Sequence, residues 1–116
     1  MELGILPINI GKILDGRTVE NSRLEYKEGW NPERILHTIC AFANDYDNIG
    51  GGYIIIGIRE DGGLPAEFPG VTPEEISKID RELTRLCNLL EPRYMPRMSQ
   101  ETYRGTALCV VTSTPS

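Results

Sequence analysis

Three glutamates stand where a fold can bring them together. Glu20 lies just ahead of an alternating segment, Glu25 inside it, and Glu60, with Asp61 beside it, at the end of the next apolar segment. Carboxylates at neighbouring strand ends can converge at one sheet edge, and a hard divalent cation such as magnesium or manganese takes two or three such oxygens as ligands. A cation so held activates water against a phosphodiester. Coincidence competes with this reading, because seventeen Asp and Glu are spread over 116 residues. Cations crowd the same elements: Arg23 and Lys27 flank Tyr26, and Arg34 and Arg59 follow close by. Basic residues interleaved with an aromatic suit phosphate contacts. A second loose group, Arg93, Arg97 and Arg104 near Tyr94 and Tyr103, combines phosphate contact with base stacking. Arginines on strands also simply solvate a face.

Other chemistries are poorly served. His37 is the only histidine; it sits off the apolar stripe of its segment, the place of a solvated imidazole, and lacks an orienting carboxylate for a Ser-His-Asp or Cys-His arrangement. Gly50, Gly51 and Gly52 suggest a phosphate loop, but such a cradle runs from a strand into a helix N-terminus. Here the order is helix, glycines, strand, which reads as a helix C-cap. Gly57, inside an apolar strand, marks a bulge or a close approach by another backbone or a ligand. The three cysteines, Cys40, Cys87 and Cys109, lie in apolar periodic segments without C-x-x-C spacing, as reduced core thiols do.

The elements that must hold these residues follow from periodicity. Residues 8–14 are apolar at near-alternate positions before Asp15-Gly16, a strand or a short helix. Residues 23–28 alternate, so they form a half-buried strand with Glu25 and Lys27 on one face. Asn31 then caps a helix with Pro32 at its first position, Trp30 stapled onto Ile35, and Ile35, Leu36, Ile39, Phe42, Ala43 and Tyr46 turned to the core. Arg34 and Thr38 look outward. Residues 53–58 predict a strand buried on both faces, ended by a turn over 60–63. Thr72-Pro73-Glu74-Glu75 opens a second helix that runs through Ile76, Ile79, Leu83, Leu86, Cys87 and Leu90 and is closed by Pro92. Two strands, over 95–103 and 107–112, flank the Arg104-Gly105 turn. The order predicts a two-layer α+β domain, a mixed β-sheet packed with two main helices.

Length allows one domain over 1–116, and composition is that of an ordinary soluble chain, 40% hydrophobic and 25% charged. A net charge of -5 speaks against binding polyanions by bulk attraction, so any nucleic-acid contact must be a local patch. No apolar run approaches the roughly twenty residues of a membrane span, and Glu2 and Pro7 break any signal-peptide pattern. The chain is expected in the cytoplasm, without a membrane partner. It ends directly after a strand, as a complete protein or a domain cut from a longer polypeptide would.

Glu20-Asn-Ser-Arg-Leu-Glu25-Tyr-Lys27, then Cys40-Ala-Phe-Ala-Asn44, then Gly51-Gly-Tyr-Ile-Ile-Ile-Gly-Ile58, resembles the Schlafen AlbA-type DNA-binding domain over about residues 18–112. That family is found at the N-terminus of bacterial and archaeal transcriptional regulators and RecG-like helicase-related proteins, and within eukaryotic Schlafens. The resemblance implies an α+β module that binds DNA or RNA and favours the N-terminal fragment of a longer protein; Arg23, Lys27, Arg34 and Arg59, read from their own placement, are its expected phosphate contacts. For nuclease-active members it implies a three-carboxylate centre, which falls by position on Glu20, Glu25 and Glu60 and would hold magnesium or manganese. Two features depart from the pattern: the segment Asp45-Tyr-Asp-Asn-Ile49 lengthens the loop before the glycines, and Asp61 competes with Glu60 for the third place. The eukaryotic nucleases pair two such domains, so a single chain would need a second copy. Nucleic-acid binding is therefore the leading expectation, with a metal-dependent nuclease and a homodimerisation or protein-interaction module as alternatives.

Overall fold

The computed structural model describes residues 10–20, 24–44, 52–89 and 96–113. Its elements in chain order are α1 (Ile10–Asp15), β1 (Leu24–Lys27), α2 (Pro32–Asn44), β2 (Gly52–Ile56), β3 (Arg59–Asp61), β4 (Leu64–Glu67), α3 (Pro73–Cys87), β5 (Arg97–Tyr103) and β6 (Thr106–Ser113). The main sheet has the order β1-β2-β6-β5, with β1 parallel to β2 and the remaining pairs antiparallel. β3 and β4 form a separate hairpin. The fold is α+β with a mixed sheet, as the periodicity predicts.

Alternation divides the core between the two faces of this sheet. Ile54 and Ile56 of β2, with Cys109 and Val111 of β6, meet Ile35 and Ile39 of α2 and Ile79, Leu83 and Cys87 of α3. Ile55 and Val110 point the other way, where Leu24, Tyr26, Leu108, Ile58 and the α1 residues Ile10 and Leu14 close over them. The first segment, open between strand and helix in the sequence, is thus a helix that covers the second face. Cys87 and Cys109 are buried free thiols, and burial pushes Cys109 up to about 11, the chemistry of core hydrophobes rather than nucleophiles. Tyr46, Leu90 and Pro92 lie outside the described residues.

Helix ends follow the predicted caps. The Arg34 N–H donates to Asn31 Oδ1 (3.3 Å). Thr72 and Glu75 exchange both capping-box bonds, Thr72 N–H to Glu75 Oε1 (2.7 Å) and Glu75 N–H to Thr72 Oγ1 (3.1 Å). At the end of α1 the Thr18 N–H donates to the Ile13 carbonyl and the Arg17 N–H to the Leu14 carbonyl, a Schellman closure. Its left-handed position, where glycine is usual, is held by Arg17 at φ 50°.

The turn predicted over 60–63 forms at Gly62 and Gly63, with φ 62° and 85°, but it joins two strands instead of ending one. Leu64-Pro65-Ala66-Glu67 carries no β-branched residue and contains a proline, so it gives no strand signal by itself. Gly57 marks the approach of a second backbone. The Gly70 N–H donates to the Gly57 carbonyl (2.9 Å), and a Cβ on Gly57 would lie 3.1 Å from the Gly70 Cα.

Three outcomes are expected from chemical denaturation. Gly70→Ala destabilises by ~1–3 kcal/mol, because φ is 75° and the new Cβ would meet Thr106 Cγ2 at 2.6 Å. Arg17→Gly stabilises by up to about 1 kcal/mol, since glycine relieves the left-handed residue. Tyr26 is buried, its hydroxyl donates to the Thr18 carbonyl (2.5 Å), and burial, assisted by the charge of Glu20, pushes the phenol up to about 12 from 10.0. Between those values the native state keeps a proton that the unfolded state has lost, so stability falls as pH rises through the window. Tyr26→Phe loses about 1 kcal/mol at neutral pH from the missing bond and shows a smaller decline at alkaline pH.

Candidate nucleic-acid interface

β1 is an edge strand of four residues, and its alternation sends Leu24 and Tyr26 into the core beneath α1 while Glu25 and Lys27 take the opposite face. Lys27 Nζ lies 2.6 Å from Glu25 Oε2. The chain then turns directly into α2, whose N-cap at Asn31 fixes the helical phase. That phase places Glu33, Arg34, His37 and Thr38 above Glu25 and Lys27, and the six side chains line a cleft of about 510 Å³. The Thr38 hydroxyl lies 3.1 Å from Glu25 Oε1 and 3.1 Å from the Arg34 carbonyl, so it joins strand to helix. Two carboxylates and two cations leave the cleft without net charge. Glu25 already neutralises Lys27, whereas exposed Arg34 has no ion pair among the described residues.

The other predicted cations stand apart from this pair. Arg59 begins β3, where its Nε donates to Glu67 Oε1 (2.9 Å) across the hairpin, and this carboxylate raises the guanidinium above its ordinary value. Arg23, Arg93 and Tyr94 lie outside the described residues. Arg97 is exposed on β5, and Arg104 pairs with Asp15 of α1 at 2.9 Å.

Each of the three candidate glutamates is engaged by the protein itself. Glu20 Oε2 accepts the N–H of Tyr26 (2.7 Å), a backbone donor of the edge strand. The Glu20 N–H in turn donates to the Gly63 carbonyl (2.7 Å). Glu60 Oε1 accepts the Gly63 N–H (2.8 Å). Glu20 and Glu60 therefore meet around one glycine of the hairpin, while Glu25 faces Lys27 and Thr38 at α2. No three His, Cys, Asp or Glu among the described residues are grouped so as to hold a metal ion. The arrangement does not fit a divalent cation on these three carboxylates.

Thr38 and His37 take the outward face of α2 that the periodicity predicts, and that face is the wall of the cleft. The signal was present in the spacing Arg34, His37, Thr38, and it needed only the position of α2 over the β1 edge to become a site. No described helix is long and apolar enough to cross a membrane.

No curated protein matches the sequence significantly. Among solved structures, the chain is similar to the N-terminal domain of an ATP-dependent DNA helicase RecG-related protein from Nitrosomonas europaea. The TM-score is 0.62 at 22% identity, with 91% of this chain and 72% of that chain covered, a likeness of fold. The DIP2311 protein from Corynebacterium diphtheriae gives a TM-score of 0.49 at 16% identity, with 82% of this chain and 18% of that chain covered. The family model described as Schlafen, AlbA_2 matches residues 20–116, from the glutamate that caps the edge strand through the whole of the sheet. The chain belongs to the Schlafen AlbA_2 family.

Proposed function

We propose that this domain binds nucleic acid through the cleft between β1 and α2, with Lys27 and Arg34 as its phosphate contacts. The observation that carries the reading is the convergence of these two cations, from different elements, with Thr38 and His37 on one concave surface. Membership of the Schlafen AlbA_2 family supports it, and so does the fold shared with the N-terminal domain of a DNA helicase RecG-related protein. Phosphate oxygens accept from guanidinium, ammonium, hydroxyl and imidazole donors alike, and such contacts position a strand without reading its sequence. The same reading takes Arg23 and Arg59 as further phosphate contacts, with Arg59 released from Glu67 on binding. The proposed role is that of a binding module within a regulator or helicase-related protein.

The cleft's neutrality makes the proposed contact modest, and its salt dependence comes from the counterions released by the phosphates that Lys27 and Arg34 neutralise. Glu25 acts against binding, since it offers Lys27 a carboxylate in place of a phosphate. The three-carboxylate alternative has no comparable gathering of ligands behind it, and no hydrolytic step is assigned.

Fluorescence anisotropy with labelled single- and double-stranded DNA and RNA, titrated with salt, is the direct test. Lys27→Ala and Arg34→Ala are each expected to weaken binding several-fold and to lower the salt slope by about 1. Glu25→Ala is expected to strengthen binding by a few-fold, about 0.5–1 kcal/mol, as its counter-charge leaves Lys27. Unchanged affinity in both lysine and arginine variants overturns the assignment. A parallel incubation with manganese addresses the alternative: cleavage by the wild type that Glu25→Ala abolishes would establish the nuclease instead.

A further inference from the structure

We propose that a second cleft, between the end of α1 and the turn joining β5 to β6, binds a nucleotide unit, its phosphate held by Arg17 and Arg104 and its base laid against Phe68 and Tyr103. The cleft measures about 490 Å³, within the usual size of small-molecule sites. Leu14, Phe68 and Tyr103 supply its apolar wall, and the two rings stand 5.3 Å apart at 40°. The Arg104 guanidinium lies 5.3 Å from the centre of the Tyr103 ring. Asp15 accepts from the Tyr103 hydroxyl (2.5 Å) and from Arg104 Nη2 (2.9 Å), which fixes both side chains at the rim. One carboxylate against two guanidiniums leaves the cleft with a positive charge to spare.

Backbone conformation singles out the same two arginines. Arg17 and Arg104 are the non-glycine residues found at positive φ among the described residues, each at 50°. Arg17 fills the left-handed position of a Schellman closure, and Arg104 precedes Gly105, φ 81°, in a two-residue hairpin turn. Glycine or asparagine satisfies the backbone better at both places, so the arginines are not there for the turns. Both line one cleft. Arg104 is accounted for by Asp15, while exposed Arg17 has no ion pair among the described residues. A planar guanidinium matches a phosphate through paired donors, and an aromatic face stacks on any base. An anion with an attached planar ring meets both requirements, which is the chemistry of a nucleotide, free or within a single strand. This cleft belongs to the α1 side of the sheet and the Lys27–Arg34 cleft to the α2 side, so the two assignments stand or fall separately.

The test is an amide NMR titration of the 116-residue chain with three probes: a short 5′-phosphorylated oligoadenylate, AMP and inorganic phosphate. Saturable shifts are expected at residues 15–18, at Phe68 and at residues 103–105. Saturation by AMP assigns a free nucleotide, and saturation by the strand alone assigns single-stranded nucleic acid. Arg17→Gly and Arg104→Asn, both compatible with their turns, are expected to weaken binding about fivefold to tenfold, the loss of one charge-assisted contact. Lys27→Ala leaves these shifts unchanged. The proposal is overturned if neither AMP nor the strand moves these residues, if Arg17→Gly binds as tightly as the wild type, or if inorganic phosphate reproduces the full response.

Discussion

Consecutive isoleucines in a strand cannot leave either face of a sheet in water, and that constraint organises this domain. Ile54, Ile55 and Ile56 alternate across β2, and all three are fully buried. Fully burying one isoleucine side chain is worth roughly 1.5–3 kcal/mol, so the sheet must be covered twice. α2 and α3 cover one face, and α1 covers the other with Phe68 and Tyr103. The parallel pairing of β1 with β2 leaves the chain no short return, and α2 is the connection. The helix that buries Ile54 and Ile56 thereby comes to lie over Glu25 and Lys27. The cleft is a by-product of covering a hydrophobic strand.

Much of this was legible in residue order because the local signals agree with the global fold. The caps at Asn31 and Thr72, the alternation of 24–27 and the double-faced burial of 53–58 each state one conformation and are stabilised in it. The β3–β4 hairpin was not legible. Its second strand has no intrinsic preference for extended structure and is held by pairing with residues 59–61, a relation that periodicity within one segment cannot express. The site was legible in part for the same reason. Lys27 and Glu25 share a face by simple alternation, but whether Glu20 and Glu60 point at a common centre depends on the path of the hairpin. That path brings the Glu60 carboxylate and the Glu20 backbone N–H to Gly63, while the Glu20 carboxylate turns to the N–H of Tyr26.

The placement of the acids changes what the net charge of -5 means. Glu20, Glu60 and Glu75 accept backbone N–H groups that strand edges, turns and helix ends leave without partners. Glu82 receives the indole N–H of Trp30 (2.6 Å), so an acid on α3 also orients the aromatic that precedes α2. These carboxylates serve the fold as acceptors, and their charge is spread around the elements rather than gathered as a field over the cleft. Acidity of this kind weakens long-range attraction for a polyanion without blocking a short-range contact.

The bond from Gly70 to Gly57 brings the two ends of the β3–β4 excursion into contact across the end of the sheet. Between them Ile58 and Phe68 stay packed on the second face, and the hairpin beyond departs and returns at one point, like a loop of thread drawn through a single eyelet. The main sheet therefore keeps its strand order whatever length the excursion has, and closing a longer one adds only slowly to the entropy to be overcome. Among chains built on this sheet, the tip of this hairpin at Gly62, clear of Ile58 and Phe68, is the place where insertions, and with them new contacts beside the β1 edge, can accumulate without a change of core.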